Sequence, residues 1–218
     1  MKKILAIVAL ASVAVTGMSQ GLVTINQTSF NIQTNSGTIG TISGVANSFY
    51  FALLTIADPS GSTTTPVISS KSSLTSSWID TGVTGTNGTG FTAGKLIAIG
   101  GIPGASATGV QGGGATNFFV VVGWSSTLGS TWSAVASQIS NNSYLNNSAC
   151  FGYTQVGYGV GSDLAPGFAV FGTNPGQIPT TAGSFVLTPI NPTPVPEPGT
   201  LVLAGLGGLS LLAFRRKK

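Results

Sequence analysis

The sequence predicts an all-β fold: a single jelly-roll-like β-sandwich of about 8–10 strands with one short helix. Short runs of β-branched and aromatic residues alternate along the chain with clusters of Gly, Ser, Thr and Asn. Segments that favour turns, such as Asn87-Gly88 and Asn174-Pro175-Gly176, separate these runs. At both ends an apolar run lies beside clustered cations. These ends indicate an N-terminal signal helix and a C-terminal transmembrane helix that flank the sandwich.

Residues 1–19 have the pattern of a secretory signal peptide. Lys2 and Lys3 precede an apolar run at 4–15, and small and polar residues follow. Small residues allow cleavage after Ser19 or after Gly17, and we prefer the first. The run is short for a membrane span, although an uncleaved anchor is the alternative. Signal peptidase and the secretion machinery are therefore expected partners.

Residues 20–190 are expected to form one ectodomain, because about 170 residues can bury a single core. The formal net charge of the whole chain is +4, but most of its cations lie in the two terminal segments. The ectodomain itself is close to neutral, since its charged residues are Lys71, Lys95, Asp58, Asp80 and Asp163. Nucleic-acid binding is not expected, because it needs Lys and Arg clustered on one folded face.

The strands are expected throughout this ectodomain. The run 117–124 is almost continuously apolar, which is typical of a central strand buried on both faces. The other clear strand patterns are at 22–26, 48–56, 95–99, 167–171 and 184–188. Weaker patterns occur at 38–43, 67–70, 77–81 and 153–158.

One short helix is predicted at 130–139. Trp132, Val135, Ala136 and Ile139 recur there at helical spacing, behind Ser130 as a candidate N-cap.

The residue types available for catalysis are few. The chain has no His, so neither a Ser-His-Asp arrangement nor a common zinc site can be assembled. A glycosidase needs two facing carboxylates, and Asp80 and Asp163 are the remaining pair because Asp58 lies in a turn pattern. We expect no enzymatic activity, no cofactor and no metal. Cys150, the single cysteine, is expected to be a small buried hydrophobe.

Aromatic side chains leave open a carbohydrate-binding surface. A flat platform for stacking a sugar ring has the candidates Trp78, Trp124, Trp132 and Tyr144, with Tyr153 and Tyr158 as further members. The Asn-rich segment 141–148 would supply amide hydrogen bonds. The alternative is that the tryptophans fill the core of the sandwich.

The C-terminal segment has three parts. A Pro-rich linker at 191–199 contains Val195, Pro196, Glu197 and Pro198, and its prolines favour an extended, accessible backbone. An uncharged run at 200–214 would form a helix of roughly 22 Å, short for a bilayer core of about 30 Å but sufficient with local thinning. A basic tail at 215–218 follows and favours a cytoplasmic end. Its residues are Arg215, Arg216, Lys217 and Lys218.

This order of motif, short span and basic cluster resembles the PEP-CTERM sorting signal of bacterial surface proteins. The resemblance implies recognition by exosortase, an integral-membrane cysteine transpeptidase. An ordinary C-terminal anchor with a proline stalk is the alternative. The ectodomain is also loosely similar to the β-sandwich ectodomains of other PEP-CTERM precursors, at 21–26, 49–55 and 118–132, and this similarity implies no activity.

Three functions from different classes follow. The leading hypothesis is an exported, non-catalytic protein of the cell surface or the extracellular, exopolysaccharide-associated matrix, transiently anchored in the membrane and processed by exosortase. The alternative is a carbohydrate-binding module that uses exposed Trp and Tyr. The third is a glycan-active enzyme, which would need Asp80 and Asp163 in one cleft.

Overall fold

The structure, a computed structural model, describes residues 20–35, 39–58, 60–99, 105–144 and 148–190. Strands greatly exceed helices in these ranges, which confirms the β-rich class, and the strands form curled sheets. No helix within the described ranges combines the length and apolar character that a bilayer span requires. The signal peptide predicted at 1–19 and the linker, transmembrane helix and basic tail predicted at 191–218 lie outside the described residues.

Fourteen strands are present in the described part of the chain, rather than 8–10. They are β1 (Gln20–Thr24), β2 (Gln33–Asn35), β3 (Ile39–Thr41), β4 (Phe49–Asp58), β5 (Ile79–Asn87), β6 (Leu96–Ala98), β7 (Ala105–Gln111), β8 (Thr116–Ser125), β9 (Cys150–Tyr153), β10 (Gly157–Val160), β11 (Phe168–Ala169), β12 (Phe171–Gly172), β13 (Ile178–Pro179) and β14 (Val186–Pro189). The α-helices are α1 (Ser73–Ser76) and α2 (Trp132–Asn141), and 3-10 turns occur at Gly90–Thr92 and Ser126–Leu128.

The antiparallel pair β4–β8 forms the centre of the largest sheet. Its register runs without interruption from Phe49 opposite Ser125 to Asp58 opposite Thr116. The strand order is β3-β2-β14-β9-β8-β4-β5-β6, and β10 also pairs with β8, beyond β9 on the same side. The prediction that 117–124 lies mid-sheet is therefore confirmed.

The two faces of this central pair are covered by different layers. On one face, Phe51, Leu53 and Val121 share a core with Val23 of β1 and Val110 of β7, which belong to a three-stranded sheet β11-β1-β7. On the other face, the core is completed by helices: Leu54 and Val120 of the central pair pack in one cluster with residues of both helices. The helix residues in this cluster are Leu74, Trp132, Val135 and Ile139. A sheet-on-sheet arrangement thus describes one side of the molecule, and the other side is a helix-on-sheet layer.

The large sheet also curls towards closure. Its edge strand β6 contacts the chain that leads from β1 to β2, because the backbones of Gln27 and Leu96 exchange hydrogen bonds of 2.9 and 3.0 Å. Nearby, the N–H of Ile32 donates to the carbonyl of Gly94 at 2.8 Å. These bonds satisfy backbone groups that an open sheet edge would leave unpaired.

Several predicted strands differ from those observed. The segment 67–70 is not a strand, and the 77–81 pattern continues as far as Asn87. The predicted strand at 153–158 divides into β9 and β10, with Thr154 between them. The N–H of Thr154 donates to the carbonyl of Val121 at 2.9 Å, and the hydroxyl of Thr154 accepts from the N–H of Val121 at 3.1 Å. The strands β2, β7 and β13 were not predicted, because they are short or rich in Ala, Ser and Gly and depend on pairing with their neighbours.

The predicted helix is confirmed as α2. Its N-cap is Thr131 rather than Ser130, since the Thr131 hydroxyl accepts a hydrogen bond from the N–H of Ala134 at 3.4 Å. The buried amide of Gln138 donates to the carbonyl of Leu128 at 2.6 Å and so ties the helix to the preceding turn.

Substitution of Gly123 tests the packing of the central pair. A Cβ at Gly123 would lie 2.7 Å from the Phe51 ring and 3.0 Å from that of Phe185, and these two rings already pack edge-to-face at 5.7 Å. We therefore expect Gly123→Ala to lower the free energy of unfolding by about 1–3 kcal/mol, as overpacking does, measured by urea denaturation. Gly40→Ala is the matched control, because a Cβ on that exposed strand meets nothing within 4 Å. Equal effects of the two substitutions would contradict this account.

Candidate functional site

The C-terminal segment leaves the ectodomain at Ile190, the last described residue. The preceding strand, β14, lies inside the large sheet between β2 and β9. Ile190 itself is buried, and its N–H donates to the carbonyl of Ala149 at 2.7 Å. The predicted sorting residues Val195, Pro196, Glu197 and Pro198, and the basic residues Arg215, Arg216, Lys217 and Lys218, lie outside the described residues.

Lys71 fixes this exit point from a distant part of the chain. Its Nζ donates to the carbonyl of Ile190 at 3.0 Å. Partial burial lowers the pKa of Lys71 below its ordinary value of 10.5, because desolvation disfavours the charged amine. One of the two lysines of the ectodomain is thus used at the base of the C-terminal segment.

Lys71 lies near the end of an irregular segment, residues 60–72, that we call the strap. At its start, the N–H groups of Ser60 and Ser62 donate to the carboxylate of Asp58 at 2.9 and 2.6 Å, and the Ser60 hydroxyl donates as well. This hydroxyl is the main cause of a lowered pKa of Asp58, and the N–H groups add to it while burial opposes it. The support that Asp58 gives the strap is therefore complete above its ordinary pKa of 3.8 and is lost as the pH falls through the lowered value.

The other two carboxylates of the ectodomain also accept bonds from turns. Asp80 accepts from the N–H of Gly82 at 2.9 Å, and both oxygens of Asp163 lie 3.3 Å from the N–H of Gly113. No group of three or more metal-binding side chains occurs among the described residues. Both carboxylates thus accept hydrogen bonds from the backbone of turns, which is a structural role.

The tryptophans proposed as a sugar platform are buried. Their exposed fractions are 8% for Trp78, 1% for Trp124 and 6% for Trp132, while Tyr144 is partly buried against the same cluster. A sugar cannot stack on the buried rings in this fold, and the burial supports the alternative in which tryptophans fill the core.

These rings instead hold α2 against the sheet. The ring of Trp132 lies 6.0 Å from that of Trp124 and 6.4 Å from that of Phe151. The indole N–H of Trp124 donates to the carbonyl of Gly129 at 2.8 Å, which satisfies the polar edge of a buried ring. The tryptophans thus organise the helical layer.

Cys150 is likewise buried, as predicted, at 6% exposure. Its N–H donates to the hydroxyl of Ser125, the last residue of β8, at 3.0 Å. The residue belongs to the core that the central pair shares with the small sheet.

A groove opens between the strap and the connection from β9 to β10. Its volume is about 370 Å³. The lining residues are Thr65, Pro66, Ile68, Tyr153, Thr154, Gln155 and Val156. None of them is charged. The side chains of Thr65 and Gln155 are exposed and make no hydrogen bond to another described residue, so their polar atoms face solvent.

Sequence reasoning did not find this groove as a unit. Tyr153 was one of the aromatic candidates, but 67–70 was predicted as a strand and would then have been covered by a sheet neighbour. The tertiary structure leaves Val67 89% exposed and the strap irregular, and this opens the space beside Tyr153. The composition of the strap, rich in Ser, Thr and Pro, was the available signal for a loop.

The Lys71 contact predicts a local effect on the C-terminal strand. Lys71→Met removes the donor to Ile190 while keeping an apolar stem, so the end of β14 should fray. We expect amide exchange of the segment 186–190 to accelerate several-fold, which corresponds to about 0.5–1.5 kcal/mol for one hydrogen bond, measured by hydrogen–deuterium exchange mass spectrometry. Lys95→Met, which removes the same charge elsewhere, is the control and should leave this segment unchanged. Equal protection in both variants and in the parent chain would show that the contact does not hold the strand.

Comparison with known families adds the identity of the C-terminal segment. Residues 194–217 match the family model of the PEP-CTERM protein-sorting motif. No curated protein and no solved structure gives a significant match. The motif implies export, sorting to the cell surface and processing by exosortase. The chain thus carries a PEP-CTERM protein-sorting motif at 194–217 beside a β-rich body, and this motif supports export and sorting by exosortase.

Proposed function

We propose that this protein is a non-catalytic component of the cell surface or of the extracellular, exopolysaccharide-associated matrix. The sorting motif at 194–217 is the observation that carries the proposal. After secretion and removal of the signal peptide, the C-terminal helix anchors the chain transiently in the membrane. Exosortase then processes this end, and the folded ectodomain remains outside the cell.

The position of the ectodomain relative to the motif supports this order of events. From Ile190 to Pro196 the chain has six residues, which reach about 20 Å when extended. Ala149 and Lys71 hold Ile190 by hydrogen bonds, so movement of Ile190 adds little to this distance. The motif therefore begins within about 20 Å of Ile190, a residue that the ectodomain holds in place.

The surface of the ectodomain suits a structural role. The ectodomain has only five charged residues, so contacts with other molecules would depend mainly on hydroxyl and amide groups. Strand β3 is exposed along its length and lies at the edge of the large sheet. An accessible edge can pair with another chain, which favours assembly in a matrix.

The contacts of the carboxylates support a non-catalytic role. Asp58, Asp80 and Asp163 each accept hydrogen bonds from nearby backbone N–H groups. A glycosidase instead needs two carboxyl groups that face the scissile bond at about 5–10 Å from each other.

Mass spectrometry of the C-terminus tests the sorting proposal. The mature protein should be isolated from cells with and without exosortase. We expect a chain that lacks Arg215-Arg216-Lys217-Lys218 in the first case and retains it in the second. A chain that retains these residues in the presence of exosortase would overturn the proposal.

A variant within the motif provides the matched control. Replacing Pro196 and Pro198 by Ala keeps the length, the charge and the apolar run, and changes only the motif. Retention of the C-terminal segment in this variant, with normal processing of Lys71→Met, would assign recognition to the motif rather than to the ectodomain.

A further inference from the structure

We propose that the groove between the strap and the β9–β10 connection binds a neutral oligosaccharide. This inference deepens the proposed function, since it names the class of molecule that the exported ectodomain meets, and it rests on that function only for the location. The site differs from the tryptophan platform, which is buried.

Hydrogen bonds tie both walls of the groove to the rest of the ectodomain. On one side, Thr154 bonds to Val121 of the central strand through its N–H and its hydroxyl, at 2.9 and 3.1 Å. On the other side, the strap is held at its start by Asp58 and at its end by the bond from Lys71 to Ile190. A preformed site loses less conformational entropy on binding than a flexible one.

The chemistry of the lining is amphipathic and uncharged. Tyr153 is half-buried, and with Pro66, Ile68 and Val156 it offers apolar surface, while Thr65 and Gln155 place a hydroxyl and an amide at the solvent side. A pyranose ring has the complementary pattern, with C–H groups on its faces and hydroxyl groups around its rim. The volume of about 370 Å³ falls in the lower part of the range for small-ligand sites, about 300–1,000 Å³.

The lack of charge in the lining decides which class of polysaccharide fits. The charged residues at the two ends of the strap, Asp58 and Lys71, are engaged by Ser60, Ser62 and Ile190. An acidic polymer would therefore lose hydration at the groove without gaining an ion pair. A neutral polymer carries no such penalty.

A peptide strand fits this groove less well than a sugar. Strand addition needs a row of unpaired backbone groups on the protein. At the groove, the N–H of Thr154 is already bonded to Val121, and Pro66 in the opposite wall has no N–H to donate. The side chains of Thr65 and Gln155 add a hydroxyl and an amide, which suit the hydroxyl groups of a sugar.

Isothermal titration calorimetry tests the proposal on the full-length chain in a detergent without a sugar headgroup. The probes are neutral hexasaccharides of glucose and of mannose, a hexagalacturonate and a Gly-Ser hexapeptide. We expect binding of at least one neutral hexasaccharide, with about tenfold weaker affinity for Tyr153→Ala and a smaller loss for Gln155→Ala. Thr63→Ala, an exposed position of the strap that does not line the groove, should bind like the parent chain.

The contrary outcomes are distinct. No binding of any neutral probe, preferential binding of hexagalacturonate or of the peptide, or unchanged affinity in the Gln155→Ala and Thr65→Ala variants would overturn the proposal. Because Gln155 and Thr65 are exposed, their substitution tests the site even if Tyr153→Ala unfolds. A chain that is processed by exosortase but binds no sugar contradicts this inference alone, whereas one that binds but keeps its C-terminal segment contradicts the sorting proposal alone.

Discussion

Burial of the β4–β8 pair on both faces is the constraint on which the rest of the structure depends. Side chains of alternating direction, such as Phe51 and Leu54, are apolar on both sides of these strands, so each face needs its own cover. The sheet β11-β1-β7 covers one face, and α1 and α2 cover the other. Hydrophobic burial on this scale exceeds the effect of any single polar contact.

The same constraint determines which aromatic rings remain available to ligands. Trp124 and Trp132 are drawn into the helical layer, where they pack against each other and against Phe151. Tyr153 lies at the border of that layer, beside a strap that is too polar to enter the core. The candidate ligand site therefore lies at the margin of the core that the helices cover, where an aromatic ring is close to hydroxyl and amide groups.

The strap links the candidate groove to Ile190, where the C-terminal segment leaves the described part of the chain. Its middle forms one wall of the groove, and its last residues include Lys71, which holds Ile190 at the base of the sorting segment. The same segment therefore lines the groove and contacts the last described residue of the chain. The hydrogen bonds at the two ends of the strap hold one wall of the groove to the ectodomain and tie Ile190, the last described residue, to the strap.

The sequence by itself determined the C-terminal sorting motif, the β-rich class, the central position of 117–124 and the helix α2. Each of these depends on local patterns: a linear motif, an unbroken apolar run, or helical spacing of Trp132, Val135 and Ile139. Only the tertiary structure decided the helical cover, the burial of the tryptophans, the irregular strap and the contact from Lys71 to Ile190. These features join residues that are far apart in the chain. They depend on the apolar surface and the backbone groups that the central pair leaves uncovered, so no local sequence pattern can specify them.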